Sequence, residues 1–142
     1  MRFMMLIYPG AKAETGVLPD EKTIAAMMKY NEELAKAGVL LALDGLHPTS
    51  KGARIRCSGG KTITSDGPFT ESKELVGGYW MIQVKSREEA LEWASRCPLG
   101  EGEMIELRQV FELSDFGPEL EHDETTQRVK QGLDENQKRA TL

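Results

Sequence analysis

The hydrophobic pattern divides the chain into short runs closed by turn signals. Phe3 to Tyr8 is continuously apolar and is stopped by Pro9-Gly10. A run this short predicts a strand buried on both faces and central in its sheet. After a loop, Asp20 stands where a helix N-cap belongs, with Glu21 in the first turn. The spacing predicts a helix from Glu21 to Ala37 with a stripe of Ile24, Met27, Met28, Leu34 and Ala35. Gly38 falls at the C-terminal cap position. Val39 to Leu43 predicts a second strand. Ala53 to Ser58 and Lys61 to Ser65, joined by Gly59-Gly60, predict a two-residue hairpin. Val76 to Val84 alternates, with Trp80, Ile82 and Val84 on one face and Tyr79, Met81 and Gln83 on the other. Ser86 and Glu89 form an S-x-x-E capping box before a helix from Arg87 to about Arg96, with Ala90, Leu91, Ala94 and Cys97 inward. Met104 to Leu113 predicts a last strand, with Ile105, Leu107 and Phe111 opposite Glu106, Arg108 and Val110.

The order strand, helix, strand, hairpin, strand, helix, strand predicts an α+β domain over residues 1–113. It is a split β-α-β plan with an inserted β-hairpin. Both helices then cover one sheet face, and the other face stays open. A second copy can bury that face, giving a homodimer with an interior cleft. Residues 114–142 are polar and charged. Their large apolar residues are only Phe116, Leu120, Val129, Leu133 and Leu142. This predicts a tail with at most one weak helix and no core of its own.

Composition narrows the function classes. At 142 residues the length suits one domain, and 39% apolar with 29% charged residues is ordinary for a globular chain. The net charge of -5 argues against nucleic-acid binding as the main role. Cys57 and Cys97 form no C-x-x-C pair, so zinc and thioredoxin-like readings lack support. Reduced thiols, a leader-free N-terminus and no membrane-length apolar run make the cytoplasm the expected location. No cofactor loop and no metal-spaced cluster is visible. Gly59-Gly60 reads as hairpin and Gly77-Gly78 as strand.

Asp66-Gly67-Pro68-Phe69-Thr70-Glu71-Ser72-Lys73-Glu74, followed by Val76-Gly77-Gly78-Tyr79-Trp80, resembles the signature of the DGPF branch of the YCII-related family. Asn31-Glu32-Glu33-Leu34, Glu89-Ala90-Leu91-Glu92-Trp93, Cys97-Pro98 and Glu106-Leu107-Arg108 fit the same pattern. The resemblance covers about the first four-fifths of the chain, by the order of its elements. It implies a ferredoxin-like, dimeric α-β barrel. It also implies either a small-ligand or regulatory protein, with sigma-factor association among relatives, or a small enzyme. The enzymatic relatives act on hydroxylated aromatics through a histidine and an aspartate, which for this chain implies acid/base chemistry on a hydroxylated or chlorinated aromatic. Here no histidine occupies either predicted helix, which departs from those relatives.

The candidate residues each carry two readings. Asp66 can serve as a general base at a cleft mouth, or as ordinary Asp-Gly-Pro turn chemistry. His47 can pair with it, or be a surface loop residue; His122 lies in the acidic tail. Glu71 and Lys73, with Glu74, can hold a ligand or form a solvated segment. Glu106 and Arg108 can face the cleft, where arginine binds a carboxylate at two points, or close a subunit interface. Asn31 interrupts the apolar stripe, so it must be hydrogen-bonded or border a cavity. Arg54 and Arg56 read as a charged edge that can dock a partner. An enzyme requires Asp66, Arg108 and His47 to line one pocket.

Overall fold

The computed structural model describes residues 1–140. Leu142, counted above among the tail's apolar residues, lies outside the described residues. The elements are β1 (Arg2–Tyr8), α1 (Ala11–Glu14), α2 (Glu21–Lys36), β2 (Leu40–Gly45), β3 (Ala53–Ser58), β4 (Lys61–Asp66), β5 (Gly78–Gln83), α3 (Arg87–Ser95), β6 (Met104–Gln109), α4 (Pro118–His122) and α5 (Glu124–Ala140). Single 3-10 turns span Thr49–Lys51, Ser72–Glu74 and Leu113–Phe116. The chain separates into two compact units, Met1–Val110 and the residues from Phe111 onward.

In the first unit a four-stranded sheet has the order β2-β5-β1-β6, with every neighbouring pair antiparallel. β1 and β2 therefore run parallel with β5 between them. β5 and β6 run parallel with β1 between them. These are two interleaved split β-α-β units, and the fold is α+β. β1 is central, as its apolar run predicts.

Only one face of the sheet carries the core. Phe3 and Met5 of β1, Trp80 and Ile82 of β5, and Val84 are buried against Tyr30 and Leu34 of α2 and Ala90 of α3. Tyr30 joins the two helices, its hydroxyl donating to the Trp93 carbonyl at 2.7 Å. The expectation that β1 is buried on both faces is corrected. Met4 and Leu6 are only half-buried, because both helices lie on the Phe3 and Met5 side.

Two helix faces are also re-registered. Asp20 caps α2 as expected, accepting from the Thr23 N–H at 2.8 Å. The buried residues of α2 are Tyr30, Asn31 and Leu34, whereas Ile24, Met28 and Ala35 are exposed. The sheet meets an arc centred on Tyr30 and Leu34. Met28 and Ala35 lie at its margin, beside β2. In α3 the Ser86 hydroxyl accepts from Glu89 N–H at 3.1 Å, and Glu89 reaches back to Lys85 N–H at 2.9 Å. Ala90 and Cys97 are buried as expected, but Leu91 is exposed and Trp93 packs against the core instead. β6 ends at Gln109, four residues short of the expected Leu113, and Phe111 is 70% exposed.

β3 and β4 form a separate two-stranded sheet turned by Gly59 and Gly60, both at positive φ (58° and 75°). Positive φ at both turn positions matches the twist of the flanking strands. All of their strand residues are exposed.

The second unit contains the Leu113–Phe116 turn, α4 and α5. It is more helical than the expected single weak helix. The Phe111 and Phe116 rings meet at 5.0 Å. Phe111, Phe116, Leu120, Val129 and Leu133 are all exposed. Asp123 caps α5 by accepting from Thr126 N–H at 3.0 Å.

Candidate functional site

The strand alternation places three kinds of side chain on the open sheet face. The paired positions Ala42, Met81, Met4 and Arg108 cross it in one row, and Asp44, Tyr79, Leu6 and Glu106 in the next. The centre is apolar, with Met4, Leu6 and Met81 half-buried. The margins are polar. The Tyr8 hydroxyl donates to Glu106 Oε2 at 3.3 Å, and the Tyr79 hydroxyl donates to Asp44 Oδ2 at 2.7 Å. Arg108 stands 3.7 Å from Glu106, with 70% of its side chain exposed. An ion pair that exposed contributes little on its own, so the guanidinium is available to another anion.

The electrostatics follow from these contacts. Desolvation first, and then the charge and hydrogen bond of Glu106, hold the Tyr8 phenol above its ordinary pKa, against the opposing pull of Arg108. The hydrogen bond to Asp44 raises Tyr79, with desolvation and the carboxylate charge adding to it. Both phenols are neutral donors at neutral pH. Sequence alternation put Tyr79, Met81, Glu106 and Arg108 on this face. It missed Tyr8 and Asp44.

The DGPF segment is built differently from an active-site loop. Gly67 N–H donates to the Gly52 carbonyl at 3.0 Å. A Cβ on Gly67 would stand 1.7 Å from the Thr49 carbonyl oxygen, so only glycine permits this approach. Phe69 N–H donates to Thr49 Oγ1 at 3.0 Å, and the Arg54 guanidinium lies 3.8 Å from the Phe69 ring centre. Thr49 in turn gives its N–H and hydroxyl to the Glu14 carboxylate, at 3.0 and 2.5 Å. The motif thus fastens the base of the hairpin through Thr49 to α1. Glu14 and Thr49 were not singled out in the sequence, because their link spans 35 residues.

The other candidates separate in space. Asp66 is exposed at the end of β4, where it pairs with Ala53. Glu71 and Lys73 are exposed around the Ser72–Glu74 turn. His47 borders a pocket of ≈ 20 Å³ with Glu14, Pro9, Leu46 and Gly77. That space is on the order of one water molecule. Neither Asp66 nor Arg108 lines it, so that pocket does not gather the three residues an acid–base site requires. Asn31 is buried, and its Oδ1 accepts from the Trp80 indole N–H at 2.8 Å. Among the described residues no group of three or more His, Cys, Asp or Glu is placed to hold a metal ion, and no helix is long and apolar enough to cross a membrane.

The chain is similar to a solved 5-chloro-2-hydroxyhydroquinone dehydrochlorinase from Burkholderia phenoliruptrix AC1100 in complex with 2,5-dihydroxybenzoquinone. The identity is 12%, the TM-score 0.42, and the match covers 81% of this chain and 98% of that one. It is 37% identical over 75 residues to an uncharacterised protein of Rhizobium meliloti (strain 1021). That match takes in 53% of this chain and 60% of the relative's length. The YCII-related domain matches residues 1–114, and the chain belongs to the YCII-related family.

Proposed function

We propose that this chain is a ligand-binding module that pairs through its open sheet face into a ferredoxin-like, dimeric α-β barrel. Its ligand is a small phenolic acid held in the cleft between the two copies. The observation that carries this reading is the composition of that face. An apolar centre of Met4, Leu6 and Met81 is bordered by Tyr8, Glu106 and Arg108 on one side and by Tyr79 and Asp44 on the other. The apolar centre favours burial against a second copy. The exposed Arg108 suits a carboxylate, and the neutral phenols supply hydrogen bonds for a hydroxyl.

The alternative is an enzyme with Asp66 as general base on a hydroxylated or chlorinated aromatic. Asp66 lies exposed on the hairpin, and the pocket that takes His47 is lined without it. Binding without chemistry is therefore the reading preferred here. The test is a titration with 4-hydroxybenzoate, followed by the amide shifts of β1, β5 and β6. Saturable shifts there, weakened about tenfold by Arg108→Gln, are the expected result, since a charge-assisted hydrogen bond is lost. Turnover of the compound that is abolished by Asp66→Asn would overturn the preference.

A further inference from the structure

On the opposite, helix-bearing side of the sheet, α2 and the edge strand β2 leave a groove of ≈ 630 Å³. The groove is open to solvent along its outer side. Its walls are aliphatic: Ala25, Met28 and Ala35 from the helix, Leu40 and Leu43 from the strand. No aromatic residue lines it. Met28 is 60% exposed although it belongs to a helix that packs on the core. An unbranched thioether side chain at such a rim adapts readily to an occupant.

An apolar groove alone does not specify a ligand. The second observation is Asn31, 8% exposed, on the groove lining. Its Oδ1 is used by the Trp80 indole at 2.8 Å, but its Nδ2 meets only the Met28 sulfur, at 3.7 Å. A thioether is a weak acceptor, so a buried amide with two N–H groups is left under-used. The third is charge. Glu32 on the groove rim is engaged by Lys36 at 2.6 Å, while Lys29 on the same rim enters no salt bridge among the described residues. The groove therefore offers an aliphatic channel, one buried amide whose Nδ2 has only a thioether sulfur for an acceptor, and the cation of Lys29, which acts on Glu32 through space without a salt bridge among the described residues.

We infer that this groove binds an aliphatic monocarboxylate. The hydrocarbon chain lies between α2 and β2. A carboxylate oxygen accepts from Asn31 Nδ2 in place of the Met28 sulfur, and the charge is met by Lys29. The site is independent of the open-face cleft, since its residues lie on the other side of the sheet and its walls lack the tyrosines found there.

Octanoate is the probe, with 1-octanol as its neutral counterpart, added to the whole chain and followed by two-dimensional amide spectra. The expected result is saturable movement of the Asn31 side-chain amide and of the Trp80 indole N–H, which reports through the Asn31 hydrogen bond. Ala35→Phe, at an exposed position, fills the groove and is expected to abolish these shifts without lowering Tm. Lys29→Gln is expected to weaken octanoate about tenfold and leave octanol unchanged, because only the charged headgroup loses a partner. Asn31→Asp keeps the acceptor for Trp80, removes the donor, and is expected to weaken octanoate as well. Octanoate shifts that survive Ala35→Phe, shifts confined to Tyr8, Tyr79 and Arg108, or no saturation at all would each overturn the inference. The 4-hydroxybenzoate result stands or falls separately.

Discussion

Asn31 shows what a single polar residue in an apolar stripe means. Its position among Met27, Met28 and Leu34 required a partner, and the structure supplies the Trp80 indole across 49 residues of sequence. Replacing it by leucine removes the acceptor and leaves a buried N–H without one. Asn31→Leu is expected to destabilise the fold by about 1–3 kcal/mol in denaturant unfolding. An unchanged midpoint would show that water or a rearranged ring satisfies the indole. The cysteines differ in the same residue-by-residue way. Burial pushes the Cys97 thiol up to about 12, while Cys57 lies exposed on the hairpin. In native protein a thiol reagent at neutral pH is expected to label Cys57 alone, and Cys97 only after unfolding. The tyrosines give a pH dependence. Tyr8, Tyr30 and Tyr79 all have pKa values raised above 10.0, so the folded state favours the neutral phenols. That stabilisation is complete below pH 10 and is lost as pH rises through the folded values. Spectroscopic titration is therefore expected to show phenolate forming above the ordinary tyrosine range in native protein and near it in denatured protein. Alternation along β5 and β6 made the face of Tyr79 and Arg108 readable in the sequence. Their partners were not, because the Tyr8 to Glu106 contact bridges 98 residues and depends on strand order.

Among the elements, the hairpin is the one that the sequence located and misjudged. Gly59-Gly60 fixed its turn, and the observed strands match the expected spans to within a residue. Its isolation was not readable. A two-stranded ribbon is marginal by itself, and this one is held at its base by Gly67, Thr49 and Phe69. The motif that suggested a catalytic aspartate thus has a direct architectural use in its glycine and phenylalanine. Gly67→Ala drives a methyl into the Thr49 carbonyl. It is expected to cost about 1–3 kcal/mol and to raise amide exchange across Ala53–Asp66 more than across the four-stranded sheet. Uniform loss of protection would mean that the hairpin and the sheet open as one unit. The face of α2 was misassigned for a related reason. A stripe of apolar residues gives a helix its period, but the sheet decides which arc of it is buried. Tyr30, with its hydroxyl on the Trp93 carbonyl, belongs to that arc, while Met28 does not.

For the whole molecule, the split β-α-β plan with a central β1 follows from the pattern of strands and helices, and the family from the motif residues between the hairpin and β5. The ligand and the chemistry do not follow, because they depend on groups brought together only by folding. The central claim is that the open face of Met4, Leu6 and Met81 is covered by a second copy. Sedimentation equilibrium of the wild type and of Met81→Arg tests it most directly. The wild type is expected at twice the chain mass of 15.8 kDa, and the variant at 15.8 kDa with its Tm retained. The substitution places a charge at the centre of the face without touching the core on the other side. A monomeric wild type, or a dimer that tolerates Met81→Arg, would contradict the account.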